Sequence, residues 1–200
     1  MRSTRVFIRQ HITVALALLT LVAPSSALAT RDADRDAALA AITIDNFGVI
    51  NDTYYRGSQP RNRTDYERLA ALGVKTVIDL QADYATQNYA RTEEADVRAA
   101  GMKFKRFPMT THTPPSAQQL EAFLKLVNDP VSQPVYVHCK GGKHRTGMMT
   151  AVYRMTKDAW SADRAYQEMK RFDFGPSFLH PEFKAFVYDY HAKVAHNGMR

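Results

Sequence analysis

One cysteine, Cys139, stands among 200 residues, which excludes an intramolecular disulfide and makes a cysteine-rich zinc centre untenable. The seven histidines show no H-E-x-x-H or comparable spacing, so neither a metal nor another cofactor is expected. No basic stretch is interleaved with aromatics as in proteins that stack single strands, and nucleic acid is not an expected partner. Internal repeats and low-complexity tracts are absent. Long hydrophobic runs are absent too: residues 12–22 form an apolar run too short to persist as a bilayer span.

That run has a different meaning. Arg2, Arg5 and Arg9 precede it and Ala27-Leu28-Ala29 follows it, the three parts of a secretory signal peptide over residues 1–29. Cleavage after Ala29 would leave 24 basic residues against 20 acidic ones, a net charge of +4 in place of +7. The expectation is a periplasmic or secreted protein with no stable membrane anchor after signal cleavage. Residues 30–43, charged and alanine-rich, read as a linker or frayed helix, and residues 44–200 as one domain. A 45% apolar content is enough for a real core.

Within that domain, strand-like apolar runs alternate with helical periods. Residues 47–50, 54–56, 74–80, 103–109 and 135–138 read as strands, the 103–109 segment nearer an edge. Helices are expected over 64–72 with Thr64 as N-cap, over 88–100, over 117–128 with Ser116 as cap, over 148–155, after Ser161 to 172, and from Pro181 onward. Leu120, Phe123, Leu124 and Val127 share one helical face, and Phe183, Phe186, Val187 and Tyr190 have core spacing. The pattern is an α/β three-layer domain, a central mostly parallel sheet flanked by helices, with ligands at the carboxyl ends of the strands.

The chemistry concentrates in His138-Cys139-Lys140-Gly141-Gly142-Lys143-His144-Arg145-Thr146-Gly147. A strand, a glycine-bearing loop and a helix start in succession aim unpaired amides and the positive end of the macrodipole at one spot, which suits an anion. Gly141 and Gly142 would let the backbone close around it, and Lys140, Lys143, His144 and Arg145 could add positive charge. At the base of such a cup Cys139 should be a thiolate, hence a nucleophile aimed at the bound anion. Arg145 brings a planar two-toothed fork that lysine lacks, and Thr146 a hydroxyl to stabilise sulfur as a leaving group. His138 would orient the loop.

With His138 in front, Cys139-x5-Arg145-Thr146 resembles the signature of the cysteine-dependent protein tyrosine and dual-specificity phosphatases. The ten-residue form is similar to their atypical branch in plants, fungi and bacteria, some members of which act on inositol pyrophosphates. Tyr55-Arg56-Gly57-Ser58-Gln59-Pro60 resembles the segment that opens that domain, and the likeness extends over roughly residues 45–190. It implies a phosphatase-like fold and hydrolysis of phosphomonoesters on protein or small molecules through a phosphocysteine, with no metal because the loop supplies the charge. Inositol (pyro)phosphate hydrolysis and a catalytically weak phosphate-binding module are the alternatives. Rhodanese-like sulfur transfer also uses a cysteine in an anion loop, and the placement of Arg145 weighs against it.

Two matters stay open on the sequence. The family's general acid is usually an aspartate on the loop that here spans residues 108–116, and this loop has no carboxylate; His112 within it and Asp83 on a neighbouring loop are the candidates. Arg56, Arg61 and Arg63 either supplement the anion site or form a solvated run.

Overall fold

The apolar stretches around Ile78 and before Cys139 lie side by side at the centre of one sheet. In the computed structural model, which describes residues 25–82 and 89–198, five strands are ordered β1-β2-β5-β3-β4. They are β1 (Gly48–Asn51), β2 (Tyr54–Ser58), β3 (Thr76–Gln81), β4 (Lys103–Met109) and β5 (Val135–Cys139). β1 is antiparallel to β2, and the other three pairings are parallel. β2, β3 and β5 are buried along their whole length, as parallel strands covered on both faces must be, whereas β4 is half-exposed at the edge.

Helices α1 (Ser25–Ala40), α2 (Arg63–Ala71) and α3 (Tyr89–Ala99) cover one face. There Tyr66, Leu69 and Val97 pack with Val77 and Tyr136. Helices α4 (Ala117–Val127), α5 (His144–Lys157), α6 (Ala162–Arg171) and α7 (Pro181–Gly198) cover the other. There Phe123, Val127, Met148, Phe183 and Val187 close over Ile78, Leu80 and Val137. The domain therefore has three layers. Period-two alternation sends Val135, Val137 and Cys139 to the α5 side and Tyr136 to the α3 side, so the neighbours His138 and Cys139 serve opposite faces.

One expectation needs correction. The cap of α2 is Asn62, not Thr64: its side chain accepts from the Asp65 amide, and Asp65 is buried with its other oxygen taking the Arg61 amide, which draws the helix start back two residues. The 30–43 stretch, expected as a linker or frayed helix, is helical to Ala40, and its far end is held: Ala38, Leu39 and Ile42 pack beneath Tyr55 and Leu72, and Arg35 reaches Asp52 at 2.8 Å. The turn over Ser177–Leu179 went unread. Residues 1–24 of the expected leader lie outside the described residues; the expected cut after Ala29 falls within α1, upstream of those packing contacts.

Candidate active site

Cys139 ends the central strand with only 3% of its surface exposed, beside Ser58 in register. The chain then turns through residues 140–143 into α5, a helix buried from Arg145 to Tyr153. Asn62, Ser116 and Ser161 cap α2, α4 and α6 through their side chains, but Lys143 gives α5 no such bond. The amides at this helix start are left for something else.

The loop is held from behind by its carbonyls. Lys140 accepts from the Gln59 amide at 3.2 Å, and Lys143 from the Gly147 amide at 3.1 Å. Asn46 donates to the carbonyls of Gly141 (3.4 Å) and Gly142 (3.0 Å), and also to that of Phe172. Asn46 can do so because it sits at φ 54, a left-handed conformation asparagine tolerates. With the carbonyls turned outward, the amides of Gly142 and Thr146 meet the Cys139 sulfur.

Burial by itself would push the Cys139 thiol up. The Arg145 guanidinium, the Thr146 hydroxyl and those two amides outweigh it and hold the thiol below its ordinary value. The Thr146 hydroxyl is buried without a nitrogen or oxygen partner. Arg145, 6% exposed, donates through Nη1 to the Met109 carbonyl at 3.1 Å, which fixes the guanidinium at the end of β4. Cys139, Arg145 and Thr146 are thus brought together.

The flanking residues divide. Gly142 stands at φ 66, where a Cβ would lie 2.4 Å from the Gly57 carbonyl carbon, so β2, and not a ligand, demands this glycine. Gly141 has nothing nearer than Lys143 Cγ at 3.7 Å. Gly142→Ala is accordingly expected to cost about 1–3 kcal/mol in chemical denaturation and to cut turnover. Gly141→Ala should do neither, and equal losses in the two variants would contradict this placement. Lys143 pairs with Asp173 at 3.3 Å. His144 does not add charge as expected: burial, then His180 packed at 3.8 Å between ring centroids, push it down to about 4, so it is neutral near pH 7.

The three early arginines do not converge on the cup. Arg56 is wholly buried behind it, donating to the Gly142 carbonyl with its guanidinium 4.0 Å over the Phe172 ring. Arg61 pairs with Asp45, and Arg63 with Glu67 along α2. Arg61 nevertheless lines, with Lys140, Gly141, Lys143 and Ser58, a cleft of about 870 Å³ bordering the loop. Of the acid candidates, Asp83 lies outside the described residues. His112 is exposed, with Nδ1 3.0 Å from Glu182 and its ring stacked on His180.

Sequence reasoning missed what stands behind His138. On the α3 side His138 has no exposed surface, and its Nε2 lies 2.9 Å from Glu93 Oε1, off the hydrogen-bond axis. Glu93 also accepts from Tyr66 (2.8 Å) and Gln59 (3.2 Å). Asp79, beside His138 in register, takes Arg106 at 3.0 Å and the Gln81 amide. Desolvation lowers His138, but the Glu93 and Asp79 carboxylates prevail and raise it to about 9, so it is an imidazolium one residue before Cys139. An acid inside the apolar run Val77-Ile78-Asp79-Leu80 was the signal available in the sequence.

A low-pKa cysteine under amides and an arginine, at the strand-to-helix turn of this sheet, defines a cysteine-dependent phosphatase of the dual-specificity type. Residues 48–183 match the family described as DSP-PTPase phosphatase fused to NAD+ kinase, and the chain belongs to that family. It is 29% identical over 133 residues to the inositol diphosphatase SIW14 of Saccharomyces cerevisiae, across 65% of this chain and 46% of that one. With the dual specificity protein phosphatase TpbA of Pseudomonas aeruginosa it shares 31% over 130 residues, across 65% of this chain and 56% of that one. The chain therefore spans about half the length of these two relatives. Among solved structures, the SIW14 catalytic core with citrate gives a TM-score of 0.61 at 24% identity, covering 78% of this chain and 95% of that one. P. aeruginosa TpbA gives 0.60 at 26% identity, covering 76% and 91%.

Proposed function

We propose that the protein is an exported phosphatase that hydrolyses phosphomonoesters through a phosphocysteine. The observation that carries this reading is the buried Cys139 thiol held down by Arg145, Thr146 and the loop amides. Cys139 attacks phosphorus in line while amides of residues 140–145 and the Arg145 fork hold the equatorial oxygens, supplying charge where it develops. Thr146 supports the sulfur as it leaves, and water releases phosphate.

The leaving group decides the substrate class. The 108–116 loop brings no carboxylate, and its one imidazole, His112, is engaged with Glu182. Substrates whose leaving oxygen needs little protonation, aryl phosphates and phosphoanhydrides, should therefore turn over best. Lys140 on the bordering cleft, where Arg61 and Lys143 are paired with Asp45 and Asp173, supports a second reading within that class, an inositol pyrophosphate, the substrate type for which the relative SIW14 is named.

A panel of aryl phosphate, phosphotyrosine peptide, phosphoserine peptide and inositol pyrophosphate, read as released phosphate, tests this. The first two or the last should exceed the phosphoserine peptide at least ~10²-fold in kcat/KM, the lower end for a missing general acid. Phosphate binding with no release from any of the four would mean a binding module instead. The export part rests on the basic, apolar and small-residue sections of residues 1–29. It predicts a periplasmic or secreted form whose intact mass begins at Thr30; an unprocessed chain confined to the cytoplasm would contradict it.

A further inference from the structure

Among the described residues, two clusters place three metal-type donors close together: Asp79, Glu93 and His138, and His112, His180 and Glu182. The first is spent. Its carboxylates already hold Arg106, Tyr66, Gln59 and the imidazolium of His138. The second is not.

We propose that His112, His180 and Glu182 bind one divalent transition-metal ion of the Zn²⁺ class, tying the loop after β4 to the start of α7. His112 Nδ1 lies 3.0 Å and His180 Nδ1 3.6 Å from the same oxygen, Glu182 Oε1, and the three donor atoms are all within 4.8 Å of one another. Ligands about 2.0–2.2 Å from a tetrahedral ion stand about 3.3–3.6 Å apart, so small side-chain movements complete the set. His180 is the second, independent pointer. It is only 8% exposed, and its Nδ1 is buried with no hydrogen-bond partner, the carboxylate being just out of reach. An unpartnered buried nitrogen is costly unless something occupies it.

The ring is also preoriented. His180 is packed against His144 at 3.8 Å and stacked on Phe183 at 5.8 Å, while His112 stacks on it from the exposed side at 5.0 Å. Two imidazoles and one carboxylate with an open fourth position suit Zn²⁺ or Co²⁺; Mg²⁺ and Ca²⁺ want more oxygen. Because 70 positions separate His112 from Glu182, no ligand spacing showed in the sequence, and the other ground for expecting no metal, that the loop supplies the charge, concerns only the catalytic cup.

The His144 ring joins the ion's neighbourhood to the first turn of α5, so an ion here sits beside the catalytic loop without using its sulfur. The test is titration of the full-length Cys139→Ser chain with Co²⁺, read by the visible d–d absorption of a four-coordinate site and displaced by Zn²⁺. One Co²⁺ per chain is expected, with at least ~10-fold weaker binding in His112→Ala, an exposed position that should not disturb folding, and in Glu182→Gln. Absence of saturable binding, or binding equally tight in both variants, overturns the proposal. So does binding that appears only when Cys139 is present, which would assign the ion to the thiolate.

Discussion

Cys139→Ser lowers turnover of an aryl phosphate by about 10⁴-fold or more while inorganic phosphate binds as well as before, or better. The loss is large because the cup holds a thiol below its ordinary value and so favours the nucleophilic anion, whereas a hydroxyl in the same surroundings stays protonated. Binding survives because the loop amides and Arg145 are untouched, and a serine hydroxyl brings no negative charge to repel the anion. Arg145→Lys should fall between, at about 10²–10³-fold in kcat, the scale of one lost preorganised donor. Lysine keeps the charge but cannot both hold the Met109 carbonyl and fork across two oxygens. A serine variant with residual activity near wild type would remove Cys139 from the chemistry.

Glu93→Gln should lose about 3 kcal/mol, the lower end for breaking a buried ion pair. In a chain of this size that is roughly a 6–12 °C fall in Tm. The change keeps the side chain's shape beside Tyr66 and Gln59 and deletes the charge that faces His138. Its signature lies in the pH dependence. His138 rises from 6.5 to about 9 on folding, so its contribution is complete below pH 6.5 and is lost as pH climbs through about 9. Glu93 is costly to bury, yet His138 and Tyr66 bring it below 4.5, so its contribution is present above that pH and fades in acid. The wild-type minus variant difference in unfolding free energy should be largest between these limits and shrink toward alkaline pH. A difference that stays flat from pH 6 to 10 would show that the pair is not ionised. Turnover should fall as well, since His138 and Cys139 are consecutive on one strand.

How much of this was legible follows from where the contacts run. The cup is local: strand, glycines, cysteine and arginine lie within one short stretch, and local geometry brings them together. The central strands were legible because β3 and β5 are buried on both faces and so read as apolar runs. Glu93 was not, because α3 reads as a charged, solvated helix, and its neighbour Glu94 is only half-buried and paired with Arg98. Only its position one turn before the buried Val97 distinguishes it. Asn46 was hidden differently, since its bonds cross to residues 95 and 96 positions away. The arginines stayed open between anion ligands and a solvated run, and Arg56 is neither, since it holds that loop from behind.

The account depends most on a covalent bond between phosphorus and one sulfur. Alkaline quench of a single turnover with an aryl phosphate, conditions in which the sulfur–phosphorus bond survives, followed by peptide mass spectrometry reads it directly. A phosphorylated Cys139 that forms within the quench time, decays at the rate phosphate appears and is missing from Cys139→Ser is the predicted result. Phosphate release without any phosphorus on Cys139 would contradict it.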